Sequence, residues 1–195
     1  MARQVTMLKS CTFTGHRPKA MFGYNIQAYA GLSKQLYACI EQLYKLGYRQ
    51  FITGGAQGFD QLVFWAVAQF KQSHPEIQNV VYIPHPGQEA KWPVDGLFGQ
   101  QQYQQMLNIA DQVVTVSNQQ SIQSLFQRNE AMVDASDGIV CLYEDDSWRN
   151  PSTKSGTAST MRYAIKHMMD IWQIQFDNKS SGPYPIKTIQ KSIFL

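Results

Sequence analysis

Residues 51–60 read Phe51-Ile52-Thr53-Gly54-Gly55-Ala56-Gln57-Gly58-Phe59-Asp60. A short apolar strand runs into a glycine turn, and an amphipathic helix is predicted from about Gln61 to Phe70. Glycine lets a backbone N–H come close to a ligand without side-chain obstruction. A helix start adds unpaired donors and a partial positive charge. Together they make a seat for phosphate or another anion. The spacing is neither the dinucleotide fingerprint Gly-x-Gly-x-x-Gly nor a Walker loop, because no Gly-Lys-Ser/Thr follows. Taken alone, the run also reads as a tight strand-to-helix turn.

Further polar signals fall just after predicted strands. Thr14-Gly15-His16-Arg17 offers a possible anion ligand pair, and the planar fork of Arg17 suits phosphate. The Pro84 to Trp92 loop is another, within a Pro- and Gly-rich stretch, residues 85–99, that is expected to lie over a site. Ser155-Gly156-Thr157 joins a polar loop to the last predicted helix, where it either caps that helix or donates to phosphate. Arg128 and Asn129 open a helical stretch. Arg128 either reaches a phosphate or anchors its helix to Asp134 or Asp137. Asp60 is either a helix cap or an acceptor for ribose hydroxyls.

The elements that must position these residues alternate. Strands are predicted at Cys11–Thr14, Phe51–Thr53, Asn79–Pro84, Asp111–Val116 and Gly138–Tyr143, and helices at Ala28–Leu46, Leu62–Phe70, Tyr103–Ala110, Leu125–Ala135 and Gly156–Trp172. This order implies an α/β fold: a Rossmann-like, open, mainly parallel sheet with helices on both faces. Ligands of such sheets bind beyond the carboxyl ends of the strands, where strand order reverses. Residues 1–175 are read as one domain. Residues 176–195 are read as a tail that packs as an edge strand or an arm, with its apolar end Ile193-Phe194-Leu195 docked on this chain or a partner.

Composition narrows the function classes. The chain has 195 residues, 44% of them hydrophobic and 16% charged, which is a globular balance. Its formal net charge of +3 tolerates phosphate-bearing ligands. With no Lys/Arg cluster, nucleic acid is not an expected partner. No apolar run reaches the length of a membrane span. Cys11, Cys39 and Cys141 lie far apart and read as buried free thiols, which fits a cytoplasmic protein. His16, His74, His85 and His167 show no metal-ligand spacing, so neither a metal nor another cofactor is expected. No Gly-x-Ser-x-Gly elbow is present.

Taken in order, the motifs resemble the SLOG superfamily, more closely its YpsA-like branch, over roughly residues 10–170. The likeness rests on Thr14-Gly15-His16-Arg17-Pro18, Gly54-Gly55-Ala56-Gln57-Gly58-Phe59-Asp60 and Ile83-Pro84. It continues through Gln102-Tyr103, Ala110-Asp111, Arg128-Asn129 with Met132, Ser136-Asp137-Gly138 and Ser155-Gly156-Thr157. It implies a pocket for a nucleotide or nucleotide-derived ligand, with Asp137 among its residues, and possible homo-oligomers. The superfamily includes LONELY GUY phosphoribohydrolases, whose Gly-Gly-x-Gly-Thr-x-x-Glu segment matches Lys154-Ser155-Gly156-Thr157-Ala158-Ser159-Thr160. The Gly-Thr is kept, but the glutamate that takes part in cleaving the N-glycosidic bond is missing. Asp60 and Glu130 are the carboxylates that would have to substitute. Three readings follow in order of preference: a ligand-binding sensor, with Trp92 or Tyr103 stacking on the base; a nucleoside or nucleotide N-glycosidic hydrolase; and a single-stranded DNA module like the DprA branch.

Overall fold

A computed structural model describes residues 8–189. Ile193-Phe194-Leu195 and the first seven residues lie outside them.

Seven strands form one sheet. They are β1 (Lys9–Thr14), β2 (Tyr48–Thr53), β3 (Gln78–Ile83), β4 (Gln112–Thr115), β5 (Gly138–Tyr143), β6 (Asp170–Gln175) and β7 (Ile186–Ile189). Five α-helices connect them: α1 (Ala30–Lys45), α2 (Phe59–Lys71), α3 (Gln100–Ile109), α4 (Ile122–Asp134) and α5 (Gly156–Lys166). The strand order is β4-β3-β2-β1-β5-β6-β7. Every pairing from β4 to β6 is parallel, and β7 closes the far edge antiparallel to β6. Strand order reverses between β1 and β5, which places the switch point there.

Burial on both faces follows from the alternation along each central strand. Val140 and Leu142 of β5 join the cluster that includes Leu32, Leu36 and Ile40 of α1 and Val63 and Val67 of α2. Ile139, Cys141 and Tyr143 point the other way, into a cluster with Ala158, Met161 and Ala164 of α5. A side chain on each face is covered by a helix, so β5 reads as an unbroken apolar run. The three thiols are buried and unpaired, and burial pushes that of Cys39 up to about 12.

One element differs from the sequence reading. The helix predicted to run to Trp172 stops at Lys166, and Asp170–Gln175 is strand β6. The stop is a Schellman motif: Met168 N–H donates to the Ile165 carbonyl at 2.9 Å and Met169 N–H to that of Ala164 at 3.2 Å. It places Met168 at φ 52. Glycine usually marks that position, and Met carries no such signal. Within the tail, β7 is the edge strand, and Gln35 of α1 holds Tyr184 ahead of it through both its N–H and its carbonyl.

Candidate functional site

A cleft of about 250 Å³ opens above the carboxyl ends of β1 and β5. Four separate parts of the chain build it. The loop after β1 supplies Thr14, Gly15, His16 and Arg17; the turn before α2 and its first residues supply Ala56, Gln57 and Asp60; α4 supplies Arg128 and Asn129; and the start of α5 supplies Ser155, Gly156 and Thr157. Residues some 140 positions apart are drawn together because β1 is flanked by both β2 and β5.

The α5 rim is held in place by its own side chains. Ser155 Oγ accepts from Ala158 N–H at 3.3 Å and so caps the helix. Thr157 Oγ1 donates to the Gly15 carbonyl at 3.0 Å, tying α5 to the loop after β1. Ser159 N–H donates to the Ser155 carbonyl at 2.9 Å, so the cleft-lining residues ahead of these bonded groups are Gly156 and Thr157, and the space beside Gly156 is open. Such a terminus carries partial positive charge.

Opposite that rim lies a buried ion pair. Arg128 is only 4% exposed. Its Nη1 sits 3.7 Å from Asp60 Oδ2 and donates to the Gly54 carbonyl. Its Nε has no partner among the described residues. Asp60 Oδ2 also accepts from Ala56 N–H at 3.2 Å. Burial raises the Asp60 carboxyl above its ordinary range, while the charges of Arg128 and Arg17 pull it partly back. Burial likewise lowers the Arg128 guanidinium, against the pull of Asp60. Arg17 is exposed at the mouth, so its charge faces solvent or a ligand. His16 Nε2 lies 3.0 Å from Glu144 Oε1, and its ring packs against Tyr143.

The glycine run plays a different part from the one its composition predicts. Gly54, Gly55 and Gly58 do not line the cleft. The Ala56 N–H is given to Asp60, and Phe59 N–H to the His16 carbonyl at 3.1 Å. Gly58, at φ 90, is needed for close approach: a Cβ there would meet the His16 carbonyl oxygen at 2.6 Å. The run therefore docks the α2 turn against the β1 loop and Arg128.

Other expected residues fall elsewhere. Asp137 sits at the opposite end of the sheet, exchanging bonds with Ser10: its carboxylate accepts from Ser10 N–H and its own N–H donates to the Ser10 carbonyl, both at 2.8 Å. Asp137 precedes β5 rather than following it, so it cannot reach the cleft. Pro84 is buried, and its carbonyl accepts from Ser117 N–H at 3.0 Å. Trp92 lines a neighbouring cleft. Tyr103 is buried at 1% exposure, its hydroxyl bonded to Gln88, and offers no open ring face. Glu130 and Ser159 line a separate groove between α4 and α5. Thr160, near the position of the missing glutamate, lines the cleft, one helical turn beyond Gly156. Phe13 and Ala20 line it without having been singled out, and they carry no polar signal.

This is a Rossmann-like α/β protein with a polar cleft at its switch point. The chain belongs to the YpsA family, described as the YspA SLOG family, whose model matches residues 11–179. It is 33% identical over 161 residues to the uncharacterized SPbeta prophage-derived protein YoqJ of Bacillus subtilis, covering 75% of this chain and 88% of that one. To the UPF0398 protein YpsA of the same organism it is 23% identical, covering 80% and 87%. Among solved structures it is similar to DNA processing protein A from Streptococcus pneumoniae, with a TM-score of 0.58 at 14% identity over 89% of this chain and 53% of that one. The same protein from Helicobacter pylori, described for a unique single-stranded DNA binding mode, gives a TM-score of 0.54 at 16% identity over 95% and 70%. Those two likenesses show the fold. Among the described residues no helix is long and apolar enough to cross a membrane, and no cluster of potential metal ligands occurs.

Proposed function

We propose that this protein binds a nucleotide or nucleotide-derived small molecule in the cleft between β1 and β5, as a ligand-binding or sensing protein. The phosphate sits against the N–H groups at the start of α5 and is neutralised by Arg17, with Arg128 behind it. One observation carries the reading: the α5 terminus, Arg17 and a buried Arg128 with an unpartnered Nε converge on one cleft. Structural ion pairing accounts for Asp60 but not for that Nε. Ala56, Gln57, Asp60 and Asn129 form the wall that faces the sugar. Unpaired thiols and the membrane result accord with a cytoplasmic location, and self-association is part of the proposal through the apolar C-terminal residues.

Asp60 is the carboxylate that lines the cleft, and this favours a second reading, N-glycosidic hydrolysis. Water would add across the bond, releasing free base and ribose phosphate. Thermal-shift titration with the ribonucleoside 5′-monophosphates tests the first reading, with Arg17→Ala as control and a single-stranded oligonucleotide as a further titrant. Chromatography of the same mixtures for free base tests the second. Binding lost in Arg17→Ala with no base released supports a binding protein; indifference to every nucleotide refutes it. Stronger, salt-dependent binding of the oligonucleotide would point to DNA instead.

A further inference from the structure

The cleft does not end at Arg17 and Gln57. Both residues also line a second, wider cleft of about 720 Å³. At about 250 Å³ the first falls below the usual size of a small-molecule site, roughly 300–1,000 Å³, so a ligand seated there has reason to extend. The second cleft carries Lys19, Tyr24, Lys91 and Trp92 on its other walls and no carboxylate among its lining residues. Arg17, Lys19 and Lys91 are exposed, and no hydrogen bond or ion pair occupies their side chains among the described residues. Trp92 is half-buried and fixed: its ring meets that of Tyr103 edge-on, with centroids 5.1 Å apart, and its carbonyl accepts from Gln100 Nε2 at 2.8 Å. A held aromatic ring at the edge of a cationic cleft is the arrangement that stacks a base beside a phosphate.

We propose that the ligand is a dinucleotide whose two nucleosides are joined through phosphate: one nucleotide half fills the β1–β5 cleft, the linking phosphate lies at Arg17, and the second base rests on Trp92 in the wider cleft. The inference rests on the nucleotide reading above and adds the class of ligand. Lys19 and Lys91 draw in the remaining charge without fixing its geometry, since flexible ammonium groups act as point charges.

Calorimetric titration of the full chain tests it with three probes. They are the tightest-binding ribonucleoside 5′-monophosphate, the symmetric pyrophosphate-linked dinucleotide of the same base, and a single-stranded decamer of that base. The dinucleotide is expected to bind about tenfold or more tighter than the monophosphate, because its second base stacks on a held aromatic ring. Trp92→Ala and Lys91→Glu are each expected to cut that advantage by about fivefold or more and leave the monophosphate unchanged. Lys91 is exposed, so Lys91→Glu decides the matter should Trp92→Ala fail to fold. Equal affinity for monophosphate and dinucleotide, or an advantage untouched by both variants, overturns the dinucleotide while leaving the first cleft intact. A decamer bound more tightly than the dinucleotide overturns it in favour of a strand. Failure of every monophosphate to bind removes the underlying reading and this inference together.

Discussion

Replacing Arg128 with Ala should destabilise the protein strongly, and more so at neutral than at acid pH. The guanidinium is 4% exposed and bridges the Gly54 carbonyl and the Asp60 carboxylate. Its removal strands a carboxylate that burial already disfavours. Breaking a buried ion pair from one side costs about 3–5 kcal/mol. The 3.7 Å separation puts this pair toward the lower end, and the lost bond to the Gly54 carbonyl adds about 1.5 kcal/mol or more. We expect a loss of about 4.5 kcal/mol, or a fall of about 9–18 °C in Tm at about 2–4 °C per kcal/mol for a chain of this length. The sign of the pH effect follows from the raised Asp60 carboxyl. The folded state takes up its proton more readily than the unfolded state, so stability present below the unfolded pKa is lost as pH rises through the folded one. Without Arg128 that folded pKa climbs further. Scanning calorimetry should therefore show a larger Tm deficit at about pH 7.5 than at about pH 5. A deficit worth under about 1 kcal/mol, or one equal at the two pH values, would refute the buried pair as the anchor of this wall.

Other expectations are simpler. Met168→Gly should stabilise the fold by about 1 kcal/mol, read as a higher denaturation midpoint, because Met168 holds φ 52 while 64% exposed. Gly138→Ala should cost about 1–3 kcal/mol, since a Cβ there would meet Tyr48 Oη at 2.6 Å and the Trp172 ring at 2.8 Å; unchanged stability would mean that β5 shifts freely against β6. Thr157→Val should cost about 1 kcal/mol by removing the bond to the Gly15 carbonyl, and hydrogen exchange should rise in the loop after β1; exchange unchanged there would contradict the tie.

The strand and helix order was legible because the central strands are short apolar runs bounded by turn residues. Gly138–Tyr143 is the plainest case, with the same limits in sequence and structure. Starts of strands were less visible. Tyr48 opens β2 as a single core aromatic, but Arg49 and Gln50 after it are polar and only partly buried, so the continuous apolar signal begins at Phe51. The end of α5 was hidden by a helical apolar spacing that runs on through Met168 into residues that pair as β6. The cleft was half legible. Positions following strands brought Thr14–Arg17 and Ser155–Thr157 to one rim, as the topology of parallel sheets requires. The role of the glycine run was not legible, because nothing in Gly54–Gly58 says that Asp60 and Arg128 consume its polar groups. Asp137 was misplaced for a related reason: motif membership does not say at which end of a strand a residue stands.

The most direct test of the anion site is a titration of the isotope-labelled protein with a ribonucleoside 5′-monophosphate, followed by backbone amide chemical shifts. The largest shifts should fall on Gly15–Arg17 and Gly156–Thr157, two segments joined only by the fold. Shifts confined to other surfaces, or none at saturating nucleotide, would contradict the claim that the switch-point cleft holds the phosphate.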